Sequence, residues 1–503
     1  MKRSQGSLVF VATLALLAAS SASGQAFDKY VALGDSLAAG FQSNCLVQRN
    51  QIHSAPADLA AAIGIADFEQ PLVQEIPLSN PLVGQPCLYP MFTPPASFSI
   101  VPVSQMGPPL NANLPRPYDN LAMPGANVID LTAVKHGDPN GSGIQRIAAL
   151  VLRNVPGSPF DGMSAVDEAN LNLASSSGAK LLTLGIGNND VLGAATSGVV
   201  IDGVTLTTVA DFTAAYQAII SAIAPGVTIA RSNIPDVTTI PFTTTIPPVL
   251  VDPTTRQPVV IGGNLVPLLG EGDAAFPCTP APPDSGCPLP QGSLVLLPAS
   301  TLLSGGTGIP VAAGGNGQPL PHGKFVPPAT VVPGLVLYPD EVSLLQDRVN
   351  AYNGVIAAAD SGPLVDAHAI LQDVNAHGYE IGGVTLTSAF LTGGIFAYDG
   401  VHLTWAGYAV LADYFVQAIN AQAGTHIPRV DVASTLFMPN IPPTVAAGDV
   451  NGGGGGYDYS IWRDVMATAG FFSRGLDVHM PSTVSDPRPL RGPTRTVVRR
   501  LGD

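Results

Sequence analysis

Charge is scarce in this chain, and positive charge scarcest. Asp, Glu, Lys and Arg make up 11% of its 503 residues, against roughly 25% in ordinary globular chains. Lys and Arg number 21 against 36 Asp and Glu, for a formal net charge of −15. No basic cluster precedes the last few residues. An acidic surface poor in Lys repels a phosphate backbone, so nucleic acid is not expected as a partner; the acidity reads as a solubility device. Long apolar runs are missing too. Past the first 24 residues, Gly, Pro or charge interrupts every candidate membrane span. Cysteine is limited to Cys45, Cys87, Cys278 and Cys287. No pair has C-x-x-C spacing or a neighbouring His, which argues against a metal site. No internal repeat is found.

What is present begins with a leader. Met1-Lys2-Arg3 is followed by an apolar stretch from Leu8 to Ala19 and small residues through Ala22-Ser23-Gly24. This is the layout of a signal peptide (1–24) cleaved near Gly24-Gln25, which predicts a secreted or periplasmic protein. In an oxidising compartment the simplest pairing of the cysteines is Cys45–Cys87 and Cys278–Cys287, although the sequence permits the other pairings.

Hydrophobic residues reach 46%, enough for a sizeable core, while 54 Gly and 48 Pro require much loop. Buried strands are predicted at Tyr30–Leu33, Lys180–Leu184, Val227–Ala230 and Leu364-Val365-Asp366. Helices are predicted near Ala55–Gly64, Ile144–Arg153, Met163–Ser175, Val209–Ala224, Pro339–Ala359 and Leu403–Ala421. Their alternation implies an α/β domain (25–440) with a parallel sheet covered on both faces. Two loop-rich insertions interrupt it, at about 41–118 and 236–334. The second holds many Val, Leu and Pro residues; it reads either as an apolar lid beside the site or as a disordered or purely structural excursion. Residues 441–503, with Gly452–Gly456 and a Pro/Arg-rich end, read as a flexible tail. The region after Asn440 is too short for a C-terminal membrane barrel.

Four strings carry chemistry. Gly34-Asp35-Ser36-Leu37 ends the first strand, which puts Ser36 at the carboxyl edge of a parallel sheet, where ligands bind. The helix expected after it would stabilise developing negative charge. Alone, Ser36 fits a helix cap as well as a nucleophile. Asp399-Gly400-Val401-His402 opens the last helix. Residues three apart on one turn share a face, so Asp399 can reach His402 and fix its tautomer as a general base. Rival pairs are Asp366/His368, which could share a strand face, Asp373/His377 and Asp477/His479; none follows a Tyr-Asp-Gly turn into an apolar helix. Gly125, in Asn120-Leu121-Ala122-Met123-Pro124-Gly125-Ala126, allows close backbone approach. Asn189, in Gly187-Asn188-Asn189-Asp190, offers a side-chain amide just past a strand, with Asn188 as the alternative. Gly125, Asn189 and the Ser36 amide would make an oxyanion hole. Asp190 reads as a loop-ordering residue.

With these strings in this order, the chain resembles the GDSL esterases and lipases, the SGNH hydrolases, over most of residues 28–421. The resemblance implies a three-layer α/β/α, flavodoxin-like fold and a shallow, open site. It also implies hydrolysis of carboxylic esters, short-chain or lipid-like, through an acyl-enzyme, with no metal or organic cofactor. The same triad would serve transfer of an acyl group to an alcohol or sugar. A non-catalytic surface-binding protein on this fold is the remaining alternative.

Overall fold

A computed structural model of the chain describes residues 26–436, apart from 80–85, 94–96, 142, 253–254, 273–275 and 328–329. The expected leader and tail, and the Asp477/His479 pair, lie outside the described residues. Apolar runs that end in Gly or a polar residue form the main sheet: β1 (Lys29–Gly34), β2 (Lys180–Gly185), β3 (Val227–Ser232) and β4 (Leu364–Val365). They lie side by side in that order and all parallel. Tyr30 pairs with Leu181, and Gly34 with Gly185, so β1 and β2 end level.

Residues 119–123 run parallel to the free edge of β1. Ala32 N donates to Asp119 O (2.8 Å), Leu121 N to Ala32 O (2.9 Å) and Met123 N to Gly34 O (2.9 Å). Counting this segment as second in the chain, the order is 2-1-3-4-5, which is flavodoxin-like. Asp119 pins the segment: Lys29 and Arg116 pair with it at 2.5 and 2.8 Å, and Asn172 donates to it at 2.8 Å.

All six residues of β1 are buried, as a strand covered on both faces requires. Alternate side chains divide between two cores. Val31, Leu33, Leu182 and Leu184 pack with helices α3 (Ala165–Leu173), α5 (Val209–Ala222) and α6 (Pro339–Ala358). Tyr30, Ala32, Leu181 and Ala230 pack with α2 (Ala55–Ile63) and α8 (Trp405–Ala423). The result is helix, sheet, helix. No helix among the described residues is long and apolar enough to cross a membrane.

Three expectations change. Asp366 is not a strand residue; its carboxylate accepts from Ala369 N (3.0 Å) and caps α7 (Ala367–His377). Within 41–118, Val73–Pro77, Pro86–Thr93 and Ser97–Pro109 form a three-stranded antiparallel sheet. Its prolines hid it from a pattern search, since Pro is confined to strand starts, edges and irregularities. Pro86 opens its strand, and Pro102 lies at a register shift opposite Leu88. Residues 236–334 are largely folded around their own core of Ile246, Leu268, Val295, Leu320 and neighbours. Apolar residues there come in short runs such as Val249-Leu250-Val251 and Leu268-Leu269, broken by Pro and Gly before any period can show. Both simplest disulfides are formed, Cys45–Cys87 and Cys278–Cys287, with Cα separations of 5.0 and 6.1 Å.

Candidate active site

Strand ends and the turns after them bring all four strings to the carboxyl edge of the sheet. β1 stops at Gly34, where a Cβ would lie 2.5 Å from Gly185 O. Asp35 then caps α1 (Ser36–Ala39), its carboxylate accepting from Leu37 N at 3.0 Å. Ser36 is therefore the first helical residue and not the cap. Because α1 is a single turn, the expected stabilisation from a helix dipole is small.

Gly125 follows the edge segment. Ala126 N donates to Met123 O (3.0 Å), closing a turn with Pro124 and Gly125 at its centre. Gly125 has φ +82, which the third position of a type II turn demands and only Gly adopts freely. A Cβ on Gly125 would meet nothing within 4 Å, so the approach to it is open. Among the described residues its amide makes no hydrogen bond.

β2 ends at Gly185, and α4 (Asn189–Ser197) begins four residues later. The two asparagines part company here. Asn188 Nδ2 donates to Asp35 Oδ2 (2.8 Å), latching this loop to the turn that holds Ser36. Asn189 Nδ2 donates to Ala126 O (2.9 Å), beside Gly125. An amide nitrogen carries a second hydrogen, so Asn189 keeps one donor for a ligand. Asp190 is buried and orders the loop: it accepts from Thr207 Oγ1 (2.7 Å) and Val128 N (2.9 Å). Burial pushes its carboxyl up to about 6, with the two hydrogen bonds opposing.

The Asp399 turn precedes the last long helix instead of opening it. α8 starts at Trp405, and Thr404 is its cap, accepting from Gly407 N at 3.1 Å. Asp399 reaches His402 because its side chain closes its own turn. Oδ1 accepts from Val401 N (3.0 Å) and His402 N (2.8 Å), and Oδ2 pairs with His402 Nδ1 at 3.0 Å. Gly400 has φ +71, and a Cβ there would press on Phe242 N at 3.1 Å. A further donor to Asp399 Oδ2 is Asn44 N (2.9 Å). Burial raises the Asp399 carboxyl, but the His402 charge and the hydrogen bonds outweigh it and leave it at about 2.

Segments far apart in sequence meet here. The His402 ring packs on Phe41, centroids 4.6 Å apart, and Phe41 N donates to Ser36 O at 3.1 Å. Asp35 is also close enough to feel the His402 charge. Burial raises the Asp35 carboxyl, against the pull of Asn188, Leu37 N and His402. Ser36 is 7% exposed, and the His402 side chain 15%. Ser36 Oγ and His402 Nε2 form no hydrogen bond with each other; such contacts often tighten only when substrate binds. Two of the rival pairs fall within the described residues. Asp373 and His377 bond at 2.9 Å on an exposed helix face. Asp366 caps α7, while His368 Nε2 meets Gln372 Nε2 at 2.9 Å. Sequence reasoning missed Asn44, Phe41 and the Asn188 latch. Asn44 has φ +66, a turn conformation that its sequence does not announce.

Compared with protein families, residues 30–415 match the description GDSL-like Lipase/Acylhydrolase. The chain belongs to the GDSL-like lipase/acylhydrolase family. The matched span contains all four strings. A GDSL-like acylhydrolase is of the serine hydrolase kind, which takes in esterases, lipases and acyltransferases. No individual curated protein matches the chain.

Proposed function

We propose that the chain is an exported carboxylic-ester hydrolase working through an acyl-enzyme. Ser36 is the nucleophile, His402 the general base, and Asp399 the residue that orients it. The observation that carries this reading is the Asp399–His402 pair at 3.0 Å, held with its imidazole against the turn that leaves Ser36. Asp399 on Nδ1 leaves Nε2 to take the Ser36 proton as Oγ attacks the acyl carbonyl. The Ser36 and Gly125 amides and Asn189 Nδ2 receive the oxyanion. His402 then gives its proton to the departing alcohol, and water repeats the sequence to release the acid. The leader and the two disulfides support export.

A fluorophosphonate probe tests the reading: it is expected to label Ser36, and labelling is expected to vanish in Ser36→Ala. Unchanged labelling of a folded Ser36→Ala protein would overturn the assignment. Asp399, held at about 2, is a carboxylate across the neutral range and so can orient His402 there. Asn189→Ala is expected to lower kcat by about 10²–10³, the usual loss for one oxyanion donor. Asn188→Ala should cost less, because its amide is committed to Asp35. Steady-state kinetics of both variants decide between them; the reverse ranking would make Asn188 the donor.

A further inference from the structure

Behind the catalytic turns lies a cavity of about 130 Å³. It runs between the sheet and helices α2, α7 and α8. Its lining includes Leu37, Asn188 and Val401, the sequence neighbours of Ser36, Asn189 and His402, but not Ser36, Gly125, Asn189 or His402 themselves. Leu59, Leu371, Val410 and Phe415 also wall it. The segment 236–334, a candidate lid from sequence, contributes only Ile240 among the described residues.

The lining selects its occupant by chemistry. No Asp, Glu, Lys, Arg or His lines it. Most of the polar side chains present already have partners. Tyr30 and Thr183 hydrogen-bond to each other at 2.8 Å. Asn233 donates to Asp366 at 2.7 Å and accepts from His368 N at 3.0 Å. Asn188 Oδ1, at the end nearest the catalytic turns, is buried without a partner. A sugar or charged headgroup would lose its water and find almost nothing in return. A hydrocarbon chain loses nothing on entry. Cavities of about 150 Å³ with Leu, Ile and Phe walls take up benzene, so this one suits a single chain of about six carbons.

We propose that this cavity is the acyl-chain site, which rests on the hydrolase reading above. The ester carbonyl sits at Ser36, and its hydrocarbon tail enters between Leu37 and Val401 to lie against α7 and α8. The substrate class is then esters of medium-chain fatty acids. The test is a p-nitrophenyl ester series from acetyl to palmitoyl. kcat/KM is expected to rise about fourfold per methylene, the ~0.8 kcal/mol gained on burying one, and to level off near hexanoyl. Val410→Phe, which fills the cavity, should cut the hexanoyl-to-acetyl ratio at least tenfold. Leu371→Ala, which enlarges it, should move the plateau to longer chains and covers the case in which the filled variant fails to fold. A flat series, or variants whose profiles parallel the parent, would overturn the proposal. Octanoate binding to Ser36→Ala protein, followed by calorimetry, separates the two readings. It is expected to be lost in Ser36→Ala/Val410→Phe, whichever residue is the nucleophile. Binding that survives Val410→Phe sinks the cavity assignment alone, and full turnover by Ser36→Ala sinks the hydrolase reading alone.

Discussion

Ser36→Ala is expected to lower kcat for a chromogenic acetyl ester by on the order of 10⁴–10⁶, the range seen when a serine nucleophile is removed. The fold should survive. The α1 cap is Asp35, whose bond to Leu37 N does not involve the Ser36 hydroxyl, and Ala is a good helix former. The loss is therefore chemical, and far-UV circular dichroism should be unchanged. His402→Ala is expected to cost about as much, and the double variant scarcely more, because a nucleophile and its base act as one unit. A small residue of catalysis should remain in each, from the oxyanion donors. Additive losses, or a folded Ser36→Ala enzyme at full rate, would contradict the assignment.

Asp399→Asn is expected to lower kcat by on the order of 10³–10⁴ with little change in KM. The carboxylate accepts from four donors: His402 Nδ1, His402 N, Val401 N and Asn44 N. An asparagine keeps one acceptor oxygen. Its NH₂ group must then replace either Oδ2, which faces both Asn44 N–H and the imidazole, or Oδ1, which faces the Val401 and His402 N–H groups. If it replaces Oδ2, Nδ1 becomes the acceptor and the proton moves to Nε2, which can no longer take one from Ser36. If it replaces Oδ1, two backbone donors lose their acceptor and meet another donor, and the turn must shift. Steady-state kinetics with the pH profile distinguish these from a general loss of structure. A variant with wild-type kcat would remove Asp399 from the mechanism.

Much of this was legible in the chain itself. The strand Lys29–Gly34 is six buried residues stopped by Gly-Asp, a run that only a doubly covered strand explains. Helix α5 shows its apolar face in Phe212, Tyr216 and Ile219, all buried. The Asp399–His402 pair was legible from its spacing together with its Tyr-Asp-Gly context, but it forms through a turn and not a helix: Gly400 is left-handed, and the Asp399 side chain folds back on its own backbone. Less legible were segments whose order is tertiary. The strands between 73 and 109 carry prolines that mask alternation. The core of 236–334 assembles from residues such as Ile246, Leu268 and Leu320, which lie far apart in sequence and meet only in the fold.

By itself the sequence determined the alternation of strands and helices, the simplest of the possible cysteine pairings and the candidate site strings, because apolar period and short-range turn chemistry act over a few residues and leave their mark there. Only the tertiary structure decided how these parts serve one another. It alone set Asn188 on Asp35 and Asn189 beside Gly125, brought Asn44 N–H to Asp399, laid Phe41 under the imidazole, and opened a cavity behind the catalytic turns. Of these, Asn44 and Asp399 are 355 positions apart, and Phe41 and His402 are farther apart still. These contacts form because one sheet edge gathers every strand end, a consequence of parallel pairing that no local pattern contains.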